Sequence, residues 1–557
     1  MRRKLVFLVT LLLCISLLIS GCVVNKTPNA TDPVGSSEED SSIVTPAGQF
    51  PVVKEKITLK VFSMQLPQIE NFETNAYTKF LEEKTNIHLE WELSPQQDAS
   101  TKVSLMLTSD TDLPDMFLPS LVNRNGQMQY GQQGLFLPLN EYIEKYGIET
   151  KKLLEIHPEA IQKITCPDGN IYSMFTAQEV LNQEYRCRMW INKPWLDNLS
   201  MAIPTTTDEL YTVLKAFKDD DPNKNNKADE IPLTGAKGTK GERVDSFIMN
   251  AFVYNDTWQR RIHLNNGKVT PSFNQPAYKE GISYYRKLAE ENLFDPLSFT
   301  QDKNQLKQLV NHEEINIVGT IMGEQYRGFA GEGSERLKDY VPVLPLKGPN
   351  GFQAAIHRPG EVKANYCIIT KACEYPEAAF RMADFMLSEE ASLFARFGKK
   401  GVDWVEPEPG EIGVNGKQAV VKEVLKWGDV QNSNWYTTGF YYVPRDVQDG
   451  MVIDKNNPFD FELLVYNLAK SYAPFKWEGI EPFRTPFLEA DEESEQSLLI
   501  SQIESYVEER FAAMVLDKNI DLDREWDAYL KELDKLQLDR YVEILQNAYD
   551  REVAASK

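Results

Sequence analysis

Between Ile57 and Leu118 the chain changes its hydrophobic period four times, and this restricts its architecture more than any other feature. Ile57-Thr58-Leu59-Lys60-Val61-Phe62 alternates with the period of two expected of a strand. Thr78 to Lys84 has a helical period, and Ile87-His88-Leu89-Glu90-Trp91-Glu92 alternates again. From Ala99 to Ser109, Val103, Leu105, Met106 and Leu107 supply the apolar face of a second helix, and Leu113 to Leu118 reads as a third strand. Strand, helix, strand, helix, strand predicts an α/β fold with a parallel sheet covered on both faces. Ligands of such sheets bind beyond the carboxyl ends of the strands, so Ser120, Asn123 and Arg124, just after the third strand, are candidates to line a cleft.

Upstream, Met1-Arg2-Arg3-Lys4 and the apolar run from Leu5 to Ile19 form a signal peptide over residues 1–21. The run is short for a bilayer core that needs roughly 20 apolar residues. Leu18-Ile19-Ser20-Gly21-Cys22 resembles the bacterial lipobox, which implies cleavage before Cys22 and lipidation of that residue. The protein is expected at the cell membrane, lipid-anchored on its extracellular face. Residues 22–56, rich in Ser, Thr, Pro and acidic side chains, are too polar to bury a core and are expected to be a disordered tether.

The remaining 500 or so residues exceed one ordinary domain, so at least two lobes are expected. The formal charge of −23 becomes −26 once Arg2, Arg3 and Lys4 leave with the leader. With no basic stripe to neutralise phosphates, nucleic acid is not expected as a partner. Cys166, Cys187, Cys367 and Cys373 lack the paired spacing of a zinc site. Free, partly buried thiols are the preferred expectation, although Cys367 and Cys373 could bridge in an exported chain.

Further along, Trp190-Ile191-Asn192 precedes a helix in which Leu210, Val213, Leu214 and Phe217 share one face, with Thr206 or Thr207 as its cap. Glu314 to Met322, Tyr340 to Pro345 and Tyr366 to Thr370 read as strands, and Pro376 opens a helix through Met386. Leu498 to Tyr549 is acidic, helical in period and free of Gly and Pro. Thr85-Asn86-Ile87, Leu113-Pro114-Asp115-Met116-Phe117, Gly134-Leu135-Phe136-Leu137-Pro138-Leu139 and the block from Trp190 to Leu210 together resemble bacterial extracellular solute-binding lipoproteins of ABC importers, family 1 type. Within that family the likeness is to the large oligosaccharide-binding members, including those that bind alginate fragments.

The resemblance implies a two-lobe, type II periplasmic-binding-protein-like fold, a hinged clamp that captures an oligosaccharide and delivers it to permease subunits of an ABC transporter. Its connectivity implies a first lobe of residues 57–175 and about 364–400, and a second of 176–363 and about 401–557. A monomer and no catalysis are expected.

Asp221-Pro222-Asn223-Lys224-Asn225-Asn226-Lys227-Ala228-Asp229-Glu230 places oxygen-bearing side chains at the first, third, fifth and ninth positions of a calcium-type loop. Lys227 would offer its carbonyl at the seventh. Asn226 stands where Gly is usual, although Asn tolerates the left-handed conformation. Pro232 stands where a bidentate Glu is usual, leaving Glu230 to substitute. Resemblance to the alginate-binding members implies one structural calcium held by Asp221, Asn223, Asn225, Lys227, Asp229 and Glu230; the alternative is a polar turn.

A saccharide cleft needs aromatic platforms beside polar side chains. Tyr130, Trp258, Trp404, Trp435 and Tyr436 sit in loop-like, polar surroundings and are the candidate platforms, with Glu324 and Arg327 as candidate polar contacts. Two rival functions stay open. One is a peptide-binding lipoprotein of the same fold. The other is an exported carbohydrate-active enzyme with paired carboxylates, against which stands the absence of His-Glu-x-x-His and Gly-x-Ser-x-Gly signatures.

Overall fold

The computed structural model describes residues 43–555 apart from 239, 313–314, 332–333 and 458. The signal peptide, Cys22 and the tether as far as residue 42 lie outside the described residues. The alternation of periods materialises as β1 (Ile57–Gln65), α1 (Ala76–Thr85), β2 (Ile87–Pro95), α2 (Gln96–Ser109), β3 (Met116–Phe117) and α3 (Arg124–Gln132). Local chemistry fixes the ends. Asn75 caps α1 by accepting from the Tyr77 amide at 3.1 Å, and Asn86 closes it at φ 61°.

The chain continues through β4 (Met174–Gln178), β5 (Met189–Asn192), β6 (Ile231–Thr234), β7 (Ile262–Asn265), β8 (Lys268–Pro271), β9 (Val318–Met322) and β10 (Tyr340–Val343). It ends with β11 (Glu361–Ile369), the short β12 (Trp404–Val405) and β13 (Lys422–Glu423), and β14 (Ile480–Pro482). The first sheet has the order β2-β1-β3-β11-β4. β1 runs parallel to both neighbours, with Ile57 opposite Ile87 and Val61 opposite Met116. The sheet is mixed rather than wholly parallel, because β11 returns from far along the chain and pairs antiparallel with β3 and β4. A second sheet, β10-β5-β9-β6, is parallel only between β6 and β9, and β14-β7-β8 forms an antiparallel third.

Two large cores follow from this layout. Leu59, Val61, Leu81, Leu89, Phe380 and Met386 belong to the first; Trp190, Leu214, Phe217, Ile282, Ile321 and Phe329 belong to the second. Leu210, Val213, Leu214 and Phe217 are all buried on the helix Thr207–Asp219, as their spacing predicts. Its cap is Thr206, whose hydroxyl accepts from the Glu209 amide at 3.1 Å, a contact worth about 1 kcal/mol. The helices Ala490–Leu516, Leu522–Lys535 and Leu538–Ala555 carry Ile503, Phe511, Trp526 and Leu545 into the second core. The chain passes between the cores three times, from β4 to β5, from β10 to β11, and between Phe440 and Leu468.

Two boundaries differ from expectation. The tether stops short of residue 56: Val52 and Val53 are fully buried in the first core, and Arg381 donates from Nη2 to the Gln49 carbonyl at 2.7 Å. Hydrophobic burial and that cation's hydrogen bonds order a stretch whose composition is polar. Residues after 400 do not all join the second lobe either. Trp435 and Phe440 sit in the first core, and Trp404, Val421, Val443 and Met451 form a satellite cluster with Phe397. Cys166, Cys187, Cys367 and Cys373 are buried free thiols. Among the described residues no helix is long and apolar enough to cross a membrane.

Candidate ligand-binding cleft

The loop after β3 delivers Asn123 and Arg124 to the rim of a hollow of about 570 Å³. Asn123 caps α3, accepting from the Gly126 amide at 2.7 Å, so the helix start is fixed without any ligand. The Arg124 guanidinium lies 3.8 Å from the Phe487 ring centre and 3.5 Å from Glu552 Oε1, and burial lowers its pKa. The opposite wall includes Trp258, Arg260, Phe483, Glu504 and Tyr541. The walls therefore come from α3, which packs with Phe62 and Phe117 of the first sheet, and from elements packed on the second core.

Trp258 stands in a single turn, Thr257–Gln259, capped by Asp256 Oδ1 accepting from the Trp258 amide at 3.0 Å. Its side chain is half-buried, and the indole Nε1 is buried without a hydrogen-bond partner. Three cations surround the ring: Arg186 at 5.0 Å, Arg358 at 5.4 Å and Lys240 at 5.9 Å from its centre. Lys240 also donates to the Trp258 carbonyl at 3.1 Å. Burial and the neighbouring Arg260 and Arg358 lower the Lys240 pKa. Asp256 is fully buried, and that burial pushes it up to about 6 even though Arg358 and backbone amides oppose the shift.

Gln259 joins this hollow to a smaller one of about 30 Å³, lined by Glu184, Arg186, Arg358 and Arg484 among others. With its amide oriented to suit its neighbours, Gln259 donates to the Phe483 carbonyl at 3.0 Å and accepts from Arg358 Nη2 at 2.9 Å. The smaller hollow abuts the segments that pass between the cores. Arg358 donates its amide to the Glu184 carbonyl at 2.8 Å, and the Glu184 carboxylate lies 3.3 Å from His357 and 3.6 Å from Arg445. Glu179 accepts from the Tyr442 hydroxyl and from the Arg445 amide, each at 3.1 Å. All three crossing segments thus meet around two carboxylates, an arrangement that can bend at a few residues while keeping its charges paired.

Of the residues nominated from sequence, the structure brings Asn123, Arg124 and Trp258 together at this cleft. Glu324 stands next to it, 3.4 Å from Arg186, its pKa raised by burial. The others do not line this hollow. Ser120 is fully buried and donates to the Asn365 carbonyl at 2.6 Å, and Tyr130 packs edge-on against Phe136 at 5.7 Å. Trp404 is buried and donates to the Gly398 carbonyl at 3.1 Å. Trp435 is 1% exposed, meets Tyr77 and Trp91 edge-on at 4.9 Å, and donates to Thr78 Oγ1 at 2.8 Å. Tyr436 stacks on Trp427 at 4.2 Å, and Arg327 lies 3.8 Å from the Phe461 ring. Sequence reasoning missed Arg186, Lys240, Arg260, Arg358 and Arg484. A usable signal was present: basic residues beside Trp, Pro and Gly in an otherwise acidic chain, as in Trp258-Gln259-Arg260 and Arg358-Pro359-Gly360.

The loop between the helix Thr207–Asp219 and β6 closes on itself. Asp221, Lys224 and Asn226 have φ of 45°, 58° and 58°, the left-handed turn expected at Asn226. Asp221 Oδ1 accepts from the Asn225 amide at 3.1 Å and Oδ2 from the Asn226 amide at 3.0 Å. The side-chain nitrogens of Asn223 and Asn225 reach Asp229 Oδ1 at 3.2 and 3.0 Å. The Lys227 amide donates to Asn225 Oδ1 at 2.8 Å. Glu230 Oε1 is buried without a partner, and burial with the nearby Asp229 and Asp221 raises its pKa. Among the described residues no group of three or more His, Cys, Asp or Glu gathers as a metal site, so a cation here would rely on the Asn oxygens and a carbonyl as well.

Known proteins share this architecture. The chain is 27% identical over 518 residues to the fructooligosaccharide ABC transporter substrate-binding protein FusA of Streptococcus pneumoniae serotype 4, covering 90% of this chain and 91% of that one. It is 25% identical over 351 residues, 62% of each protein, to the polygalacturonan/rhamnogalacturonan-binding protein YtcQ of Bacillus subtilis strain 168. Solved structures of S. pneumoniae FusA with kestose, and of its EF-hand mutant with fructo-nystose, superpose with TM-scores of 0.74 and 0.73 at 24% identity, over 90% of this chain and all of theirs. The model of the bacterial extracellular solute-binding protein family matches residues 66–393, and the chain is a member of that family.

Proposed function

We propose that this protein captures an oligosaccharide in the cleft around Trp258 and delivers it to the permease of an ABC transporter. The observation that carries the reading is the half-buried indole of Trp258, its Nε1 unpartnered, beside a hollow of about 570 Å³. An indole face stacks on the apolar face of a sugar ring. Similarity to FusA, named for fructooligosaccharides, supports the ligand class. Binding closes the two lobes by bending the crossing segments around Glu179 and Glu184, and the closed form is what the permease engages. The ligand leaves unaltered, since the protein is a binder and not an enzyme. It acts as a monomer, held at the outer face of the cell membrane by acyl chains on Cys22.

The loop from Asp221 to Glu230 holds one calcium ion. Asp221, Asn223, Asn225, the Lys227 carbonyl, Asp229 and Glu230 are its ligands, and the buried, unpartnered Glu230 Oε1 supports the fit. The ion contributes rigidity to the second lobe. The EF-hand mutant known for FusA is consistent with a comparable element in that relative.

A thermal-shift panel of oligosaccharides and short peptides on the mature protein tests the reading. A ligand of the folded state raises the melting temperature, by the equivalent of about 2.7 kcal/mol at a hundredfold excess over Kd. An oligosaccharide that shifts the melt and is recovered uncut is the expected result. Recovery of cleaved sugar, or a shift with peptides alone, overturns it.

A further inference from the structure

We infer that the ligand is an acidic oligosaccharide, one whose sugar units carry carboxylates. The inference rests on the capture reading and specifies its substrate class.

The chain has 83 acidic residues against 60 basic ones, so an average patch of its surface is negative. The cleft reverses that balance. Arg124, Lys240 and Arg260 line the larger hollow, and Arg186, Arg358 and Arg484 line the smaller. Among the described residues only three carboxylates line the same two hollows, Glu184, Glu493 and Glu504, while Glu552 lies 3.5 Å from Arg124. Glu184 serves His357 and Arg445, Glu324 lies beside Arg186, and Glu504 lies 3.8 Å from Arg260. Glu493 stands at the far rim. Asp256 is fully buried; its Oδ1 accepts from the Trp258 amide at 3.0 Å, and its Oδ2 has no hydrogen-bond partner.

Geometry adds specificity to charge. Arg186, Arg358 and Lys240 all stand within 6 Å of the Trp258 ring centre, with Glu324 3.4 Å from Arg186 as the nearest carboxylate among the ion pairs. A sugar unit bound beside the indole meets the cations gathered over that ring, and a carboxylate on it would face them. A guanidinium fork matches a carboxylate with two parallel hydrogen bonds, which no sugar hydroxyl can do. The similarity to YtcQ, named for polygalacturonan, points the same way.

The test is equilibrium binding to the mature protein, followed by tryptophan fluorescence and calorimetry. The probes are tetragalacturonate, tetramannuronate, the fully methyl-esterified tetragalacturonate, nystose and a short peptide. One uronate is expected to bind; for tetragalacturonate, esterification should weaken binding at least about tenfold, the loss of one charge-assisted contact. Raising salt from about 20 to about 300 mM should weaken the acid and leave the ester unaffected. Arg358→Gln and, separately, Arg484→Gln should each shrink the preference for the uronate over the ester. Equal binding of acid and ester, or tighter binding of nystose, overturns the acidic assignment and leaves oligosaccharide capture standing. Binding of the peptide alone, or of nothing in the panel, counts against both.

Discussion

Asp245 and Arg261 meet inside the second core, Asp245 Oδ2 lying 2.8 Å from Arg261 Nε, with side chains 1% and 2% exposed. Arg243 approaches the other carboxylate oxygen at 3.1 Å and reaches on to Glu508 of the helix Ala490–Leu516. Two guanidinium groups hold the Asp245 carboxyl well below the usual carboxylate range despite its burial. Asp245→Asn leaves Arg261 buried without its charge partner, and unfolding in urea should show a loss of about 3–5 kcal/mol. A carboxyl depressed in the folded state stabilises fully above its ordinary value of 3.8 and loses that contribution as pH falls through the folded value. The variant's stability should therefore respond less to acid below about pH 4 than the parent's. A steeper response in the variant would refute the pairing.

His263, on β7, gives acid sensitivity in a higher window. It is 2% exposed, its Nδ1 has no partner, and burial lowers its pKa from 6.5 to about 4. Below pH 6.5 the unfolded chain takes a proton that the folded chain refuses until about pH 4, so stability falls across that interval, by at most about 3 kcal/mol. Asp256, raised to about 6, has the opposite slope, which is why the readout is the difference between parent and variant. His263→Gln should flatten the fall between pH 6.5 and 4; parallel curves for the two proteins would sink the assignment.

The structure separates Trp258 from Trp435, which sequence reasoning had ranked together. Trp435 packs between Tyr77 and Trp91, so Trp435→Ala should cost about 3–5 kcal/mol through the cavity it leaves. Trp258→Ala removes a half-buried ring and should cost about 1 kcal/mol or less, yet abolish oligosaccharide binding. Chemical denaturation paired with a binding assay decides this. Loss of binding without loss of stability in the Trp435 variant would reverse the assignment.

That confusion shows where local reading ends. The strands and helices from Ile57 to Ser109 were legible because their burial follows a period of two or 3.6, and Thr206 because a cap acts within three residues. Trp258, Trp404 and Trp435 have similar neighbours in sequence, all polar and loop-like. Their fates depend on contacts from far away: Thr78 receives the Trp435 N–H across 357 residues, and the cations around Trp258 come from positions 186, 240 and 358. The mixed sheet was hidden for the same reason, since β11 joins β3 from about 250 residues downstream, a non-local pairing that no local period encodes. Polar composition likewise concealed the burial of Val52 and Val53, which depends on Arg381 and the first core.

The loop at Asp221 offers the last prediction. If its oxygens hold calcium with the affinity of extracellular modules, about 10⁻⁴–10⁻³ M, then about 1–2 mM ion stabilises by about 0.4–1.8 kcal/mol. For a lobe of this size that is about 1–4 °C in melting temperature, lost on adding chelator. Asp229→Ala should abolish the shift, because Asp229 faces both Asn223 and Asn225. Lys227→Ala should retain it, because only the backbone carbonyl of Lys227 is offered to the ion and its amide already donates to Asn225 Oδ1. Magnesium at equal concentration should shift the melt less, since six to eight ligands on a flexible loop suit the larger ion better than a strict octahedron. A melt unmoved by either calcium or chelator in the parent protein would leave the loop a polar turn held by its own amides.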